Sequence, residues 1–325
     1  MSDVDDFVAL SECHLMNPQT MAEIEYYPGF RRWFESMGVM RAWAGRDLSQ
    51  EDEAWPDPIA AELIGYMDEA GVDVCFCLRE GMNDISGHTV AMSTNQFIVD
   101  QIAPFPGRMY LEANCGPAMR RGMEHALWEL EFLFSEKSAK LCKVYAPEDI
   151  GPLDDRRMWP FYEKACELGI TLTMHTGMSY VVPQPSSHTH PDTLDRVLLD
   201  FPELKVIAYH MGWPHTEELI GLAAKHVNLY LSMSGIVGWY ERSPYRGYHA
   251  IGTALQWLKP EKIVMGFDLT FDDMKRVVDW VRELQIPEEL QEKYGYAEIT
   301  REMRAGFLGL NLARLADIEP TKRIK

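Results

Sequence analysis

Five short apolar runs in this 325-residue chain each end on or beside a side chain that can bind a metal ion, move a proton or hold an anion. Phe7 to Leu10 opens into Glu12-Cys13-His14. Gly169 to Met174 stops at His175, Leu204 to Tyr209 at His210, Ile263 to Phe267 at Asp268, and Val72 to Leu78 at Arg79. Glu12 and His14 lie two apart, so on an extended strand they share a face and Cys13 takes the other. Together with His175 and Asp268 they make a ligand set of two carboxylates and two imidazoles. Such a set suits one divalent ion per chain, zinc or manganese, its oxygen half favouring a hard ion with open coordination positions.

These residues are far apart in sequence, and one architecture gathers them. In a closed barrel of parallel strands all the carboxyl ends meet at one mouth. The remaining runs fit that count: Met109 to Ala113, Ala139 to Val144 and Val227 to Met233 bring the strands to eight. Helical patterns alternate with them at Ala60 to Gly71, Met119 to Phe134, Asp155 to Leu168, Asp192 to Phe201 (with Asp192 placed as a cap), Thr216 to Lys225 and Asp272 to Leu284. A strand–helix–strand alternation implies a parallel sheet. The expected fold is therefore a single α/β domain over residues 1–325, a distorted (β/α)8 TIM barrel. It carries a long aromatic-rich insertion at 15–60, over the mouth or at an oligomer contact, and extra C-terminal helices at 287–318.

A net charge of −19 argues against nucleic acid or anionic membrane as a partner, since a phosphate-binding surface needs surplus Lys and Arg. An anionic substrate would need a local positive site, such as a metal ion or Arg79. No basic start precedes an apolar run, and no apolar stretch reaches bilayer length, so a soluble cytoplasmic protein is expected. The six cysteines read as reduced, mostly buried thiols, and a Cys75–Cys77 zinc pair lacks a second pair to complete it.

Glu12-x-His14, Met174-His175-Thr176-Gly177, His210-Met211-Gly212-Trp213-Pro214 and Gly266-Phe267-Asp268, in this order and spacing, resemble the amidohydrolase superfamily. The chain is similar over nearly its whole length to the decarboxylase branch, that of aminocarboxymuconate semialdehyde, γ-resorcylate and 5-carboxyvanillate decarboxylases. Hydrolases of the superfamily usually carry His-x-His on the first strand, and Glu at its first position favours decarboxylation. After Asp268 the chain reads Leu269-Thr270-Phe271, where relatives have a different wall beside the metal.

The resemblance implies a metal-dependent decarboxylase of a small aromatic or dienoic carboxylic acid, with a hydrolase of lactones, amides or esters, or a hydratase, as the alternatives. It gives His210, beside Gly212, the place of an acid–base histidine near the metal but outside its ligand set. Either His210 or Asp268 would deliver the proton. Arg79, Lys143, Asn114 and Trp213 are the expected substrate contacts, Arg79 either through its fork to a substrate carboxylate or, failing that, in a structural pair with Glu80 or another acid. His188 and His190 read as loop or supporting groups, and His215 as the start of a helix. A homodimer or homotetramer is the expected assembly.

Overall fold

The computed structural model describes residues 7–18, 59–83, 89–91, 93–179, 185–268 and 273–324. Most of the 15–60 insertion, and Leu269 to Phe271, lie outside the described residues. Eleven strands occur among them: β1 Ala9–His14, β2 Val74–Leu78, β3 Gly81–Asn83, β4 Thr89–Ala91, β5 Met109–Asn114, β6 Leu141–Val144, β7 Thr171–Met174, β8 Lys205–Ala208, β9 Leu229–Ser232, β10 Ile263–Val264 and β11 Gly266–Asp268. Strands β1, β2, β5, β6, β7, β8 and β9 pair in parallel in that order. β10 then pairs with β9 and β11 with β1, one residue apart, so these two pieces act as one eighth strand and close the barrel. β3 and β4 form a separate antiparallel hairpin.

Alternation sorts the strand residues into two layers. Val8, Leu10, Cys13, Cys75, Cys77 and Leu111 face the helices in one apolar cluster. Phe7, Ala9, Val74, Phe76, Leu141, Ile207 and Tyr209 belong to a second cluster, filled from below by Leu312, Ala313 and Leu315 of the C-terminal helices. Those helices plug the amino-terminal end of the barrel. Gly309 lets them approach, since a Cβ there would sit 2.7 Å from the Ala9 nitrogen and 2.8 Å from the Phe7 carbonyl oxygen. Thr171 Oγ1 donates to the Leu315 carbonyl at 2.8 Å. Asp73, wholly buried, accepts from the backbone of Val8, Arg323 and Ile324 and from Lys322, fastening the chain's end to the same floor.

The outer helices follow their apolar spacing. Ala60–Ala70 buries Ala60, Leu63, Met67 and Ala70, and Gly71 ends it in the left-handed conformation. Some sequence expectations need correction. Met119 to Phe134 is two helices, Ala118–Arg121 and Met123–Glu136, because Gly122 at φ 101° breaks the spiral. Asp192 is the first helical residue and not the cap: Pro191 holds the cap position and the Asp192 side chain turns to His190. Residues 287–318 contain helices, but the chain between Tyr294 and Arg301 is neither helix nor strand. The hairpin, the helix Asn95–Ile102 and the helices Val237–Arg242 and Pro244–Trp257 were not foreseen. Among the described residues no helix is long and apolar enough to cross a membrane. All six cysteines are free thiols.

If the C-terminal plug supports the strands that carry the site, tightening it should weaken the whole fold. Gly309→Ala should cost about 1–3 kcal/mol through overpacking, read as a lower denaturant midpoint at an unchanged m-value. A variant of wild-type stability would mean that the plug is not pressed against β1.

Candidate functional site

The mouth of the barrel begins with a break in β1. Leu10 pairs with Cys75 and Cys13 with Cys77, so β1 spends one more residue than β2 over that stretch. The extra residue is a bulge at Glu12, whose φ is 57°. Strict alternation from Val8 and Leu10 would have turned Glu12 and His14 toward the helices. The bulge shifts the phase, and both face the barrel interior while Cys13 stays in the helix-facing layer. The Glu12 backbone N–H donates to Glu112 Oε2 at 3.0 Å, and the other Glu112 oxygen accepts from Thr173 Oγ1 and Tyr209 OH at 2.5 and 2.6 Å. Burial pushes the Glu112 carboxyl up, against those two hydrogen bonds.

Asp268, at φ 73°, and His210 and Met211, at 60° and 49°, also take the left-handed conformation that non-glycine residues avoid. Six described non-glycine residues do so, and four of them lie at this mouth. Each costs of order 1–3 kcal/mol and persists only where surrounding contacts hold it, a pattern that concentrates at functional sites.

His14 Nδ1 lies 3.0 Å from Glu80 Oε2 and its Nε2 3.3 Å from Asp268 Oδ1, yet neither buried nitrogen has a well-directed hydrogen bond. On the opposite side, His210 Nε2 and His175 Nδ1 face each other at 2.8 Å. The outer nitrogen of each ring meets a backbone carbonyl: Ser234 for His210 Nδ1 at 2.8 Å, Met178 for His175 Nε2 at 3.2 Å. Carbonyl oxygens only accept, so both outer nitrogens carry the proton. The two inner lone pairs therefore point at one another, and a proton or a metal ion must lie between them.

Glu12 joins the two halves. Its Oε1 accepts from Lys143 Nζ at 2.6 Å and lies 3.8 Å from His210 Nε2, and its Oε2 accepts from Ser234 Oγ. Lys143 also reaches Glu80 at 3.2 Å and stands over the rings of Tyr145 and Tyr209. Ligand atoms of Glu12, His14 and Asp268 all lie within 4.8 Å of one another, and so do those of Glu12, His175 and His210.

The electrostatics follow from burial and neighbours. Burial opposes the Lys143 ammonium, but Glu12, Glu80 and Asp268 hold its pKa well above the lysine range. Burial likewise opposes the Glu80 anion, and Lys143 and His14 bring it down to about 2. Asp268 falls well below the usual carboxylate range: His14, His210 and Lys143 outweigh its burial. Burial pushes the His175 ring well below the usual histidine value, helped by His210 and Lys143. Burial also opposes a charged His14, but Glu80 and Asp268 raise it to about 10.

This arrangement fits a divalent cation. Glu12, Glu80 and Asp268 face Lys143 and His14 in a mostly buried space, a surplus of carboxylates over cations, and the His14 nitrogens that point into it lack well-directed partners. Glu80 was missed as a site residue in the sequence, where it stood only as a possible partner for Arg79. Glu112 and Ser234 were missed altogether, although an acid inside the apolar run Met109 to Ala113 is a signal, because a buried charge must be paired.

Other expected contacts fall elsewhere. Arg79 Nε donates to the Asn114 carbonyl at 2.9 Å, Nη1 to Glu148 Oε1 at 3.3 Å, and Nη2 to Asn114 Oδ1 at 3.4 Å and to the Gly116 carbonyl. Asn114 Nδ2 in turn donates to Glu148 at 3.1 Å. Arg79 and Asn114, expected to touch substrate, are thus engaged with the protein, because Glu148 is wholly buried and needs a cation. Of the two expectations for Arg79, the ion pair is the one formed, with Glu148 in place of Glu80. Trp213 packs edge-on against Trp239 at 5.2 Å and gives its carbonyl to the Met178 N–H. His188 lies in the turn Ser186–Thr189, and His215 caps the helix Thr216–Lys225.

Comparison with known proteins places this mouth in a family. The family model described as Amidohydrolase matches residues 86–317. The chain belongs to the amidohydrolase family. No curated protein sequence matches it. Among solved structures it is similar to an uncharacterised TIM-barrel protein from Bordetella bronchiseptica, at 20% identity and TM-score 0.66, over 95% of this chain and 99% of that one. A dihydroxybenzoic acid decarboxylase from Polaromonas sp. JS666, with bound manganese and the inhibitor 2-nitroresorcinol, aligns at 16% identity and TM-score 0.59, over 96% and 97%. A 4-oxalomesaconate hydratase from Rhodopseudomonas palustris aligns at 16% and 0.58, over 96% of each chain. At these identities the likeness is one of fold.

Two outcomes test the geometry of this amidohydrolase site. A histidine held above its ordinary 6.5 stabilises the fold fully below that pH and loses its contribution as pH rises through about 10. An ion at His14 needs the neutral ring, so at pH 8 uptake of manganese or zinc should expel roughly one to two protons. Calorimetry in buffers of unlike ionisation enthalpy reads that number, and Glu80→Gln should lower it. Identical heats in every buffer would contradict the assignment. Arg79→Met should destabilise the fold by about 3–5 kcal/mol, by stranding Glu148. Unchanged stability with weakened acid binding would return Arg79 to the substrate.

Proposed function

We propose that this amidohydrolase-family protein is a metal-dependent, non-oxidative decarboxylase of a small aromatic or dienoic carboxylic acid. The observation that carries the reading is that two ligand triads, Glu12 with His14 and Asp268 and Glu12 with His175 and His210, share Glu12 at one barrel mouth, with Glu and not His opening the β1 pair. Glu12, His14, His175 and Asp268 would hold one divalent ion. The manganese in a similarly folded decarboxylase supports manganese over zinc. A bound ion would supply a Lewis acid and a template for the substrate carboxylate and an adjacent hydroxyl.

Direct loss of carbon dioxide from an aromatic ring would leave a carbanion without resonance relief. The carbon bearing the carboxylate must therefore take a proton first. The carbon–carbon bond then breaks, and its electron pair restores the ring as carbon dioxide departs. We assign the proton to His210: Ser234 fixes its Nδ1–H, so its Nε2 faces the site and can carry a second proton to the substrate. Asp268, held as an anion, suits ion binding better than proton donation. Lys143 serves as the fixed cation that pairs with Glu12 and keeps Glu80 ionised, and Trp213 lies on the segment that follows His210. The reading includes a single domain over 1–325 that self-associates as a dimer or tetramer in the cytoplasm, without nucleic acid or membrane partners.

The test is product analysis. Manganese-loaded protein, screened against hydroxybenzoates and muconate-type acids, should release carbon dioxide in step with loss of substrate. A product heavier by one water would instead make it a hydratase, and acid release from lactones or amides a hydrolase. His210→Asn should lower kcat by roughly a hundredfold or more with little change in KM or bound metal. Metal lost together with activity would move His210 into the ligand set.

A further inference from the structure

We propose that His190, His215 and Glu218 form a second, peripheral divalent-metal site, fitted to zinc, that staples the loop after β7 to the loop after β8. The three side chains stand on the surface, outside the central cluster. Ligand atoms from all three lie within 4.8 Å of one another. His190 Nε2 is 3.7 Å and His215 Nδ1 3.8 Å from the same Glu218 oxygen, and the two imidazole rings approach to 4.2 Å between centroids. Bonds of 2.0–2.1 Å to a tetrahedral ion would put ligand atoms roughly 3.3 Å apart. The two imidazole–carboxylate distances need close by only about half an ångström, and the two imidazoles start within 4.8 Å of each other.

Acidic residues at a helix start are common, and Glu218 alone, in the first turn of Thr216–Lys225, would carry nothing. Two imidazoles trained on one of its oxygens are a different arrangement. The orientation of His190 adds to it. Asp192 Oδ1 lies 3.0 Å from His190 Nδ1, and the other Asp192 oxygen lies 3.7 Å from Arg196. A carboxylate only accepts, and its 3.0 Å contact is shorter than the 3.4 Å approach of the Asp192 backbone N–H to the same nitrogen, so the proton is assigned to Nδ1 and the Nε2 lone pair faces Glu218. A carboxylate behind a histidine whose far nitrogen is free is the support that metal-binding imidazoles ordinarily have. Partial exposure of all three residues leaves a fourth position for water, completing a His2Glu tetrahedral set.

The position gives such an ion a consequence. Thr189, one residue before His190, accepts from the Gly177 N–H at 2.8 Å and donates its hydroxyl to the Gly177 carbonyl at 2.7 Å, and Gly177 is two residues past His175. Trp213, two residues before His215 and three past His210, accepts from the Met178 N–H at 2.7 Å. An ion bridging His190 and His215 therefore closes a ring of backbone contacts around the segments that carry His175 and His210. Its uptake would stiffen those segments without touching the central ligands.

Cobalt(II), whose tetrahedral complexes absorb strongly in the visible, is the probe. Metal-stripped wild-type protein should take up two equivalents. His215→Ala and Glu218→Gln should each lose one equivalent and keep the other, whereas Asp268→Asn should lose only the other one. Zinc at about a hundredfold over its dissociation constant for this site should raise the wild-type melting midpoint by about 5 °C more than that of His215→Ala. These side chains are solvent-exposed, so the variants should fold. Equal stoichiometry, with equal thermal shifts in wild type and His215→Ala, would overturn the site. Loss of the central equivalent alone would instead count against the proposed function.

Discussion

Lys143 is the one cation fixed among Glu12, Glu80 and Asp268, and the barrel mouth is organised around the charge it leaves unbalanced. A lysine this deep would ordinarily lose its proton, and a glutamate this deep would ordinarily keep one. Here each prevents the other from doing so. Lys143 alone cannot neutralise three carboxylates. His14, raised to about 10 by Glu80 and Asp268 against its own burial, takes up part of the deficit by holding a proton. In the proposed reading an ion bound at His14 would take the place of that proton. The same logic governs His175 and His210, whose inner lone pairs meet at 2.8 Å and tolerate one another only with something positive between them.

Charge of this kind can be held in place only by a backbone that cannot relax. The bulge at Glu12 is supported by Glu112, which accepts the backbone N–H that the bulge releases and is itself clamped by Thr173 and Tyr209. β1, β5, β7 and β8 thus meet at one buried carboxyl group. Behind them the C-terminal helices fill the barrel floor and tie down through Asp73, so the strands cannot slide to relieve the left-handed turns at Glu12, His210 and Asp268. Arg79, Asn114 and Glu148 form a second rigid group beside the mouth, in which Glu148, pushed up to about 7 by burial in spite of Arg79, fixes the guanidinium. Strain at the site is carried by packing elsewhere.

Much of this could be read from the sequence because strand ends are marked by composition. Apolar runs that stop at Glu12, His14, His175, His210 and Asp268 give both the barrel and its chemical face, since only a closed parallel sheet brings such stops together. What could not be read depends on phase and on partners. Glu12 and His14 face inward only because of a bulge, which the runs of apolar residues do not announce. For Arg79 a structural pair could be expected but not its acid, because Glu148 is 69 residues away in a segment with no periodic signal. Glu80 and Glu112 were hidden by being adjacent to better candidates, although an acid in or beside an apolar strand always asks for a partner. The helix from Met119 was read through Gly122, where loss of spiral geometry depends on a backbone angle that composition leaves open.

The acidity of the chain bears on how an acid substrate could bind at all. The chain carries 50 acidic against 31 basic residues, and among the described residues the Arg79 guanidinium beside the mouth is already paired with Glu148. In the proposed reading neither Arg79 nor Lys143, the cations at the mouth among the described residues, is left to receive the substrate, since Lys143 is buried and engaged by Glu12 and Glu80. A divalent ion, which offsets the surplus of carboxylates, would then have to bind first. Without it the cavity carries the wrong sign for a benzoate, and with it Glu12 and Asp268 would become ligands and the surplus would be cancelled. Binding in that order needs no moving gate, because Coulomb repulsion in a low-dielectric pocket excludes the acid until the ion is in place.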